Sequence, residues 1–441
     1  MKYFDKRQNP FGSTVTDEVM ESLFKELADQ FGIRWLNSQG DHTLQNLWNR
    51  RDALSTNELY ALAHAINRLN RIDDAWVSHQ TKQIIEGDGN NQRGAFFELI
   101  GLDILMVPEL YRVIPAHRNQ AGIDATLAFP EGGNINLSLK NYSLSNHQNS
   151  FMKEAEAIKQ NVISCLKRKQ LTKAQLFIDA SYRYPTSSDW KILLSELPEL
   201  FDKYDGHFLS TTINDIWQLS VTDINHADQV FDTRFTSYTI VISSKYHANE
   251  SQNLISKLDD ATANLRKHAI TDEDDLNFIF FRLPLTASAK NCIQWANEYF
   301  LSSNDTLISG VIFYQPAIVT EFSGKTYISH YLKPVLSTRF YKWIQEHPKN
   351  KLGFFCPVGV PITEPSAMII TNGKEKVVTV DERYIAQFGE HYTSAKVTST
   401  GFEGDIKHLG PGIQQYTVLQ LTSNDRPLVI GGHFGDQLLV F

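Results

Sequence analysis

The sequence predicts a mixed α/β fold, on three observations. Apolar residues recur at helical spacing up to about residue 86. From Ala95 onward, short apolar runs bounded by Pro, Gly and Asn alternate with amphipathic stretches of helical length. Near the C-terminus the pattern changes to strand, turn, strand. These regions divide the chain into a helical N-terminal region (1–92), an α/β core (93–245), a mixed α/β region (246–345) and a β-rich C-terminal region (346–441). A chain of 441 residues calls for roughly two to four domains. With 42% hydrophobic residues it can fold without staples.

The N-terminal elements follow from periodicity. Between Thr16 and Phe31, the residues Val19, Leu23, Leu27 and Phe31 share one helical face. A second helix is expected to start at Ser55, capped by its hydroxyl with Glu58 reaching back, and to carry the stripe Leu59, Leu62, Ala63, Ile66 and Leu69. The polar run Glu86 to Asn91 reads as a closing loop.

An apolar helix is expected from Ala95 to Met106, before Pro108, and a short strand from Tyr111 to Pro115. Strands at Ile123–Phe129 and Ile135–Lys140 flank Pro130-Glu131-Gly132-Gly133-Asn134, a strong hairpin signal. A helix at Phe151–Lys169 and a strand at Ala174–Ala180 follow. Further strands are expected at Tyr238–Ser243, Leu276–Arg282 and Gly310–Tyr314, with helices at roughly 252–268 and 287–300. These could extend the first sheet or build a second unit. Met368–Thr371 and Lys376–Val380 flank Asn372-Gly373 as a tight hairpin, and strands at Tyr416–Leu421 and Leu428–Ile430 close the chain.

Charge and cysteine usage narrow the function classes. The net charge is −8, whereas a nucleic-acid binder is often basic; a local basic groove is compatible with an acidic total. The three cysteines, Cys165, Cys292 and Cys356, are far apart and lack zinc spacing, which predicts a reduced cytoplasmic protein without disulfides. The first residues show no apolar signal segment, and no apolar run approaches the roughly 20 residues that span a bilayer, so no membrane partner is expected. The histidines show no H-E-x-x-H spacing, against a zinc protease.

One constellation carries chemistry. Side chains alternate along a strand, so Ser138 and Lys140 share a face, and the hairpin brings Asp124 to the same end of the sheet. Glu98 is a charge inside the apolar helix Gly94-Ala95-Phe96-Phe97-Glu98-Leu99-Ile100, a costly placement unless it is paired or binds metal. Carboxylates that hold Mg²⁺ can activate a water and neutralise charge building on a phosphate, and a lysine beside them can orient or deprotonate that water.

This order of residues resembles the PD-(D/E)xK phosphodiesterase superfamily, with its restriction-endonuclease-like fold. Glu98, Asp124 and Lys140 match the helical Glu, the strand Asp and the Lys of acid-x-Lys, over roughly Arg93 to Ala180. Ser138 stands where most members carry the second acid. A variant among tetrameric restriction enzymes reads Ser-x-Lys and takes its acid from the following helix; Glu154 fits that role, with Glu156 as competitor on another side of the helix. The resemblance implies a restriction-endonuclease-like core and a Mg²⁺-dependent endonuclease, with Mn²⁺ substituting. Asp124, Glu154 and Glu98 would hold metal and Lys140 would act on the water. DNA is the implied partner, in a bacterial restriction or anti-phage defence setting, with a homo-oligomer (dimer or tetramer) or a defence-system partner protein.

Each residue also has a plainer reading. Asp124 could be a turn residue, Lys140 a strand-end charge that snorkels, Glu98 a partner of Arg93 or Arg112, and Glu154 a first-turn acid favoured by the helix dipole. His117, Arg118, Asn119 and Gln120 could touch DNA or be solvated loop. Asn141, Tyr142 and Ser143 could line the substrate groove or end a strand, and Gly431–Asp436 reads as a turn. Two other functions stay open: a nuclease effector switched on by a partner or signal, and a non-catalytic nucleic-acid-binding protein on a decayed nuclease fold.

Overall fold

The computed structural model describes residues 7, 15–38, 42–50, 53–116, 122–142, 145–171, 173–180, 182–223, 237–244, 247–267, 275–283, 287, 289–302, 307–320, 326–357, 360–362, 366–371, 374–379, 384–388, 391–398, 401–408, 416–419, 421–422 and 427–428. The fold is mixed α/β. Among the described residues the first elements are the helices α1 (Asp17–Phe31), α2 (Ile33–Leu36), α3 (Thr43–Asn49), α4 (Ala53–Asn70), α5 (Asp74–Glu86) and α6 (Gly89–Leu105). Thr16 caps α1 by accepting the Val19 N–H. Its buried face is Met20, Leu23, Phe24, Leu27, Ala28 and Phe31, so the stripe is wider than expected and turned away from Val19, which is 46% exposed.

Two N-terminal expectations are corrected. Ser55 does not cap α4, because the helix already runs from Ala53; Ser55 and Glu58 lie inside it and are completely buried. The polar run after Glu86 is only half a loop, since Asp88 accepts the Asn91 N–H and thereby starts α6 at Gly89.

Strands β1 (Arg112–Pro115), β2 (Ala125–Ala128) and β3 (Asn134–Asn141) form an antiparallel meander. The hairpin occurs where the Gly-Gly turn predicts it, with Gly132 and Gly133 both at positive φ. The chain then leaves this sheet. Helix α7 (Asn146–Arg168), strand β4 (Lys173–Ala180), helix α8 (Ser187–Lys203) and strands β5 (Phe208–Ile213), β6 (Trp217–Asp223) and β7 (Ser237–Ser244) build around a core of their own, which includes Phe151, Leu176, Trp190, Trp217 and Ile240. It returns through α9 (Ser251–Lys267) to β8 (Leu276–Arg282), which pairs parallel with β3. Then come α10 (Ala289–Ser302), β9 (Gly310–Thr320), β10 (Thr326–Leu336), α11 (Thr338–Glu346) and β11 (Val360–Ile362). The first sheet thus has the order β1-β2-β3-β8-β9-β10-β11.

The strands left undecided by sequence divide between the two sheets: β8 and β9 extend the first, and β7 joins the second beside β4. Ala174–Ala180, expected to belong with the hairpin, is likewise in the second sheet. All of β8 is buried, as a central strand covered on both faces must be. Leu276, Phe278 and Phe280 face the core shared with α1 to α6, and Ile279 and Phe281 face α9 and α10. The N-terminal helices therefore share one core with the sheet. Gly101 fits α6 closely onto it, since a Cβ there would lie 2.7 Å from Leu139.

The remaining strands are β12 (Ser366–Thr371), β13 (Lys374–Thr379), β14 (Tyr384–Phe388), β15 (His391–Thr398), β16 (Gly401–His408), β17 (Tyr416–Leu419), β18 (Leu421–Thr422) and β19 (Pro427–Leu428). The hairpin expected around Asn372-Gly373 is present as β12 and β13, with the dipeptide itself outside the described residues. Strand β17 joins the second sheet, giving the order β17-β7-β4-β6-β5.

Candidate active site

The site is built where the hairpin meets the carboxyl end of β3. Asp124 sits just before β2, anchored by its backbone: its N–H donates to the Leu137 carbonyl at 2.7 Å and its carbonyl accepts the Ala116 N–H at 2.9 Å. Its Oδ2 accepts the Leu139 N–H at 2.6 Å and the Ser138 hydroxyl at 3.3 Å, and lies 3.4 Å from the Lys140 Nζ. The strand pairing that puts Ala125 opposite Leu137 makes this convergence inevitable, because the next residues back and forward are Asp124 and Ser138. Lys140 keeps about half of its side chain exposed (48%), so the ammonium is available to a ligand in the cleft.

Glu98 joins the pair from α6. Its Oε2 accepts a hydrogen bond from Gln80 of α5 at 2.6 Å. Burial, and then the nearby charge of Asp124, push its carboxyl up from the ordinary range to about 8, while Lys140 and the Gln80 hydrogen bond oppose that rise. Glu98 is thus largely protonated at neutral pH unless a cation joins the site.

A cleft of about 320 Å³ opens beside Asp124 and Lys140, and Glu98 is not part of its lining. One wall carries Asp124, Ser138, Lys140 and Asn141; the other is α9, with Lys257, Asp260 and Asn264. Lys257 is half-buried, and burial lowers its pKa while Asp260 opposes that shift.

The structure brings together Glu98, Asp124, Ser138 and Lys140. Glu154 is on α7 and is not part of the cleft lining. Helix α7 begins at Asn146, so Glu154 lies well inside it, and the buried face of α7 (Phe151, Ala155, Ile158, Val162) packs into the second core. The Glu154 charge acts there on the Tyr184 phenol. Among the described residues no hydrogen bond or ion pair joins Glu154 to the cleft. Glu156 is held within its own helix, by Lys159 at 2.5 Å and Gln160 at 2.7 Å.

Of the other sequence candidates, 117–120, Ser143 and 431–436 fall outside the described residues. Asn141 does line the cleft, and Tyr142 is buried. Arg168 and Lys169 are engaged at the end of α7, with Asp202 and with the carbonyls of Asp202 and Tyr204. No disulfide joins Cys165, Cys292 or Cys356 among the described residues.

Sequence reasoning missed Gln80, Lys257 and Asp260. Gln80 had a signal: it interrupts the buried helical stripe Trp76, Val77, Thr81, Ile84, where a polar residue needs a partner. Asp260 had none in local pattern, because it becomes relevant only once β3 and β8 are known to be neighbours.

Among the described residues, no three His, Cys, Asp or Glu side chains group closely enough to hold a metal ion. Glu98 and Asp124 act on each other electrostatically, and a pair of carboxylates fits Mg²⁺, which keeps several waters and is commonly held by one or two carboxylates plus substrate phosphate. No helix among the described residues is long and apolar enough to cross a membrane. No family model, curated protein or solved structure matches the chain.

Proposed function

We propose that the chain is a Mg²⁺-dependent endonuclease that hydrolyses DNA phosphodiester bonds on a restriction-endonuclease-like core. The observation that carries this reading is the meeting of Glu98, Asp124 and Lys140 at the carboxyl end of β3, beside an open cleft. Asp124 and Glu98 would hold the metal, Glu98 giving up its proton as it does so. The bound cation supplies charge neutralisation for the phosphate and a more acidic water. Lys140, half-exposed on the wall of the cleft, would orient a water and contact the phosphate. Ser138 leaves a gap in negative charge on this wall. Asp260, on the α9 wall of the same cleft as Asp124, would supply negative charge opposite Ser138 as a cleft residue and not as a third ligand of the metal.

The test is cleavage of supercoiled plasmid with Mg²⁺ or Mn²⁺. Lys140→Ala is expected to cut at least about a hundredfold more slowly than wild type, within the range of one acid–base group. Equal cutting by both proteins removes the assignment. A second reading, a nucleic-acid-binding protein on a decayed nuclease fold, is favoured by Ser138 in the acid position and by the lack of a third described carboxylate within reach of the metal. Wild type that binds DNA but leaves it intact with either ion supports that reading.

The acid has its own test. Asp260→Ala is expected to slow cleavage at least about tenfold, an increment of about 1.4 kcal/mol in the barrier, with Glu154→Ala within about twofold of wild type. The reverse ranking returns the role to α7.

A further inference from the structure

Arg282 ends β8 with a guanidinium that is almost wholly buried, 4% exposed. Removing a cation from water is costly, and this one is poorly compensated: its Nε and Nη2 donate to no described group. Burial brings its pKa down to about 9, and Glu58, completely buried in α4, supplies the opposing charge. The guanidinium therefore stays charged at neutral pH, inside the core, next to the site.

Its Nη1 donates to the Oδ1 of Asn141 at 3.0 Å. The other end of that amide, Nδ2, donates to the backbone carbonyl of Arg93 at 2.7 Å. The two partners fix the amide's orientation without ambiguity, because a guanidinium can only donate and a carbonyl can only accept. Asn141 follows Lys140 directly on β3. Arg93 lies on α6 five residues before Glu98, about 7.5 Å along the helix axis. The chain Arg282–Asn141–Arg93 thus ties the end of the lysine's strand to the helix that carries the glutamate, and both lever arms are short.

We propose that Arg282 is a positioning residue: through Asn141 it clamps the carboxyl end of β3 to the N-terminal turns of α6, and so sets Glu98 against Asp124 and Lys140. The effect on cleavage rests on the nuclease reading above; the clamp itself does not. Core packing alone does not set this register finely. The contact of α6 with the sheet is apolar, made by Gly101 and Phe97 against Leu139 and Phe280, and such surfaces slide more readily than a bidirectional amide bridge.

The experiment compares full-length wild type, Asn141→Leu, Arg282→Met and the double variant by two readouts. Amide hydrogen exchange over residues 93–98 reads the clamp directly. Exchange there is expected to quicken about tenfold or more in Asn141→Leu, a loss of about 1.4 kcal/mol of local protection. Steady-state cleavage with Mg²⁺ reads the consequence: kcat is expected to fall between about tenfold and a hundredfold, as for small misplacements of catalytic groups, with KM for DNA within about threefold. The double variant should be no slower than the slower single one, since both cut the same chain. Asn141 is half-buried at a strand end, so its variant tests the clamp even where Arg282→Met does not fold. Unchanged exchange at 93–98 in Asn141→Leu overturns the clamp. Faster exchange with wild-type kcat overturns its catalytic role. A wild type that cuts no nucleic acid removes the nuclease reading and leaves exchange to decide the clamp.

Discussion

Asp124→Ala is expected to lower Mg²⁺-dependent cleavage by at least about a thousandfold, roughly 4 kcal/mol, the scale of losing metal-borne charge stabilisation. The size follows from how many roles meet at one carboxylate. Its Oδ2 takes the Leu139 N–H and the Ser138 hydroxyl and neighbours the Lys140 ammonium. Removal would take away a proposed metal ligand, and it takes away the partner that holds Lys140 in place. It also leaves the Leu139 N–H without its acceptor, at about 1–3 kcal/mol of stability. Asp124→Asn separates these effects, because it keeps most of the shape and loses the charge. It should fold nearly as well as wild type and cut as poorly as the alanine variant, by plasmid cleavage beside a thermal melt. Wild-type rates in the asparagine variant would show that the carboxylate's charge is not used.

Glu98→Gln is expected to stabilise the metal-free protein above neutrality and to flatten its pH profile. The folded-state pKa of Glu98 is raised, by burial first and by Asp124 second, to about 8. A carboxyl whose folded pKa lies above its unfolded value binds more protons when folded between the two. Stability therefore falls as pH rises from about 4.5 to 8, at up to about 1.4 kcal/mol per unit, and is level in this group's contribution above that. Denaturant melts in chelator at pH 5, 6.5 and 8 should show wild type losing a few kcal/mol along this series through Glu98. The glutamine variant, which cannot ionise and can still pair with Gln80, should lose less. Added Mg²⁺ should recover stability in wild type at pH 8 and recover little in Glu98→Gln. Identical pH profiles for the two proteins would mean that Glu98 is not held neutral in the fold.

The parts of this site that depend on local pattern were legible. Asp124 and Lys140 follow from a Gly-Gly hairpin and the two-residue period of strands, which fixes which side chains share a face. Glu98 was visible as a lone charge in an apolar helix, and the structure gives that charge its partners. What was not legible is whatever depends on pairings between distant segments. Glu154 follows from the resemblance, on the helix next in sequence; that the helix lining the cleft beside Ser138 is α9 is visible only once the β3–β8 pairing is known. Two differences in the N-terminal helices have the same origin. Ser55 and Glu58 look like a helix cap in isolation, yet they lie inside α4 and are completely buried, a placement that tertiary packing sets. Val19 falls on a good local stripe but loses its place to Met20 and Phe24, because the three-dimensional core selects the face.

The detour between β3 and β8 also dictates a timetable. Asn136 and Asn277, hydrogen-bonded at 3.2 Å, are 141 residues apart in the chain. At roughly 5–20 residues per second of synthesis, β3 waits on the order of ten seconds on the ribosome before its neighbour exists. During that interval its edge is open, and α9, the far wall of the cleft, is made only near its end. The intervening unit has a core of its own and can fold in the meantime. If the chain is the nuclease proposed above, its competence would be a late event in the life of the polypeptide, and a nascent or truncated chain ending before residue 276 would be unable to harm the DNA of the cell that makes it.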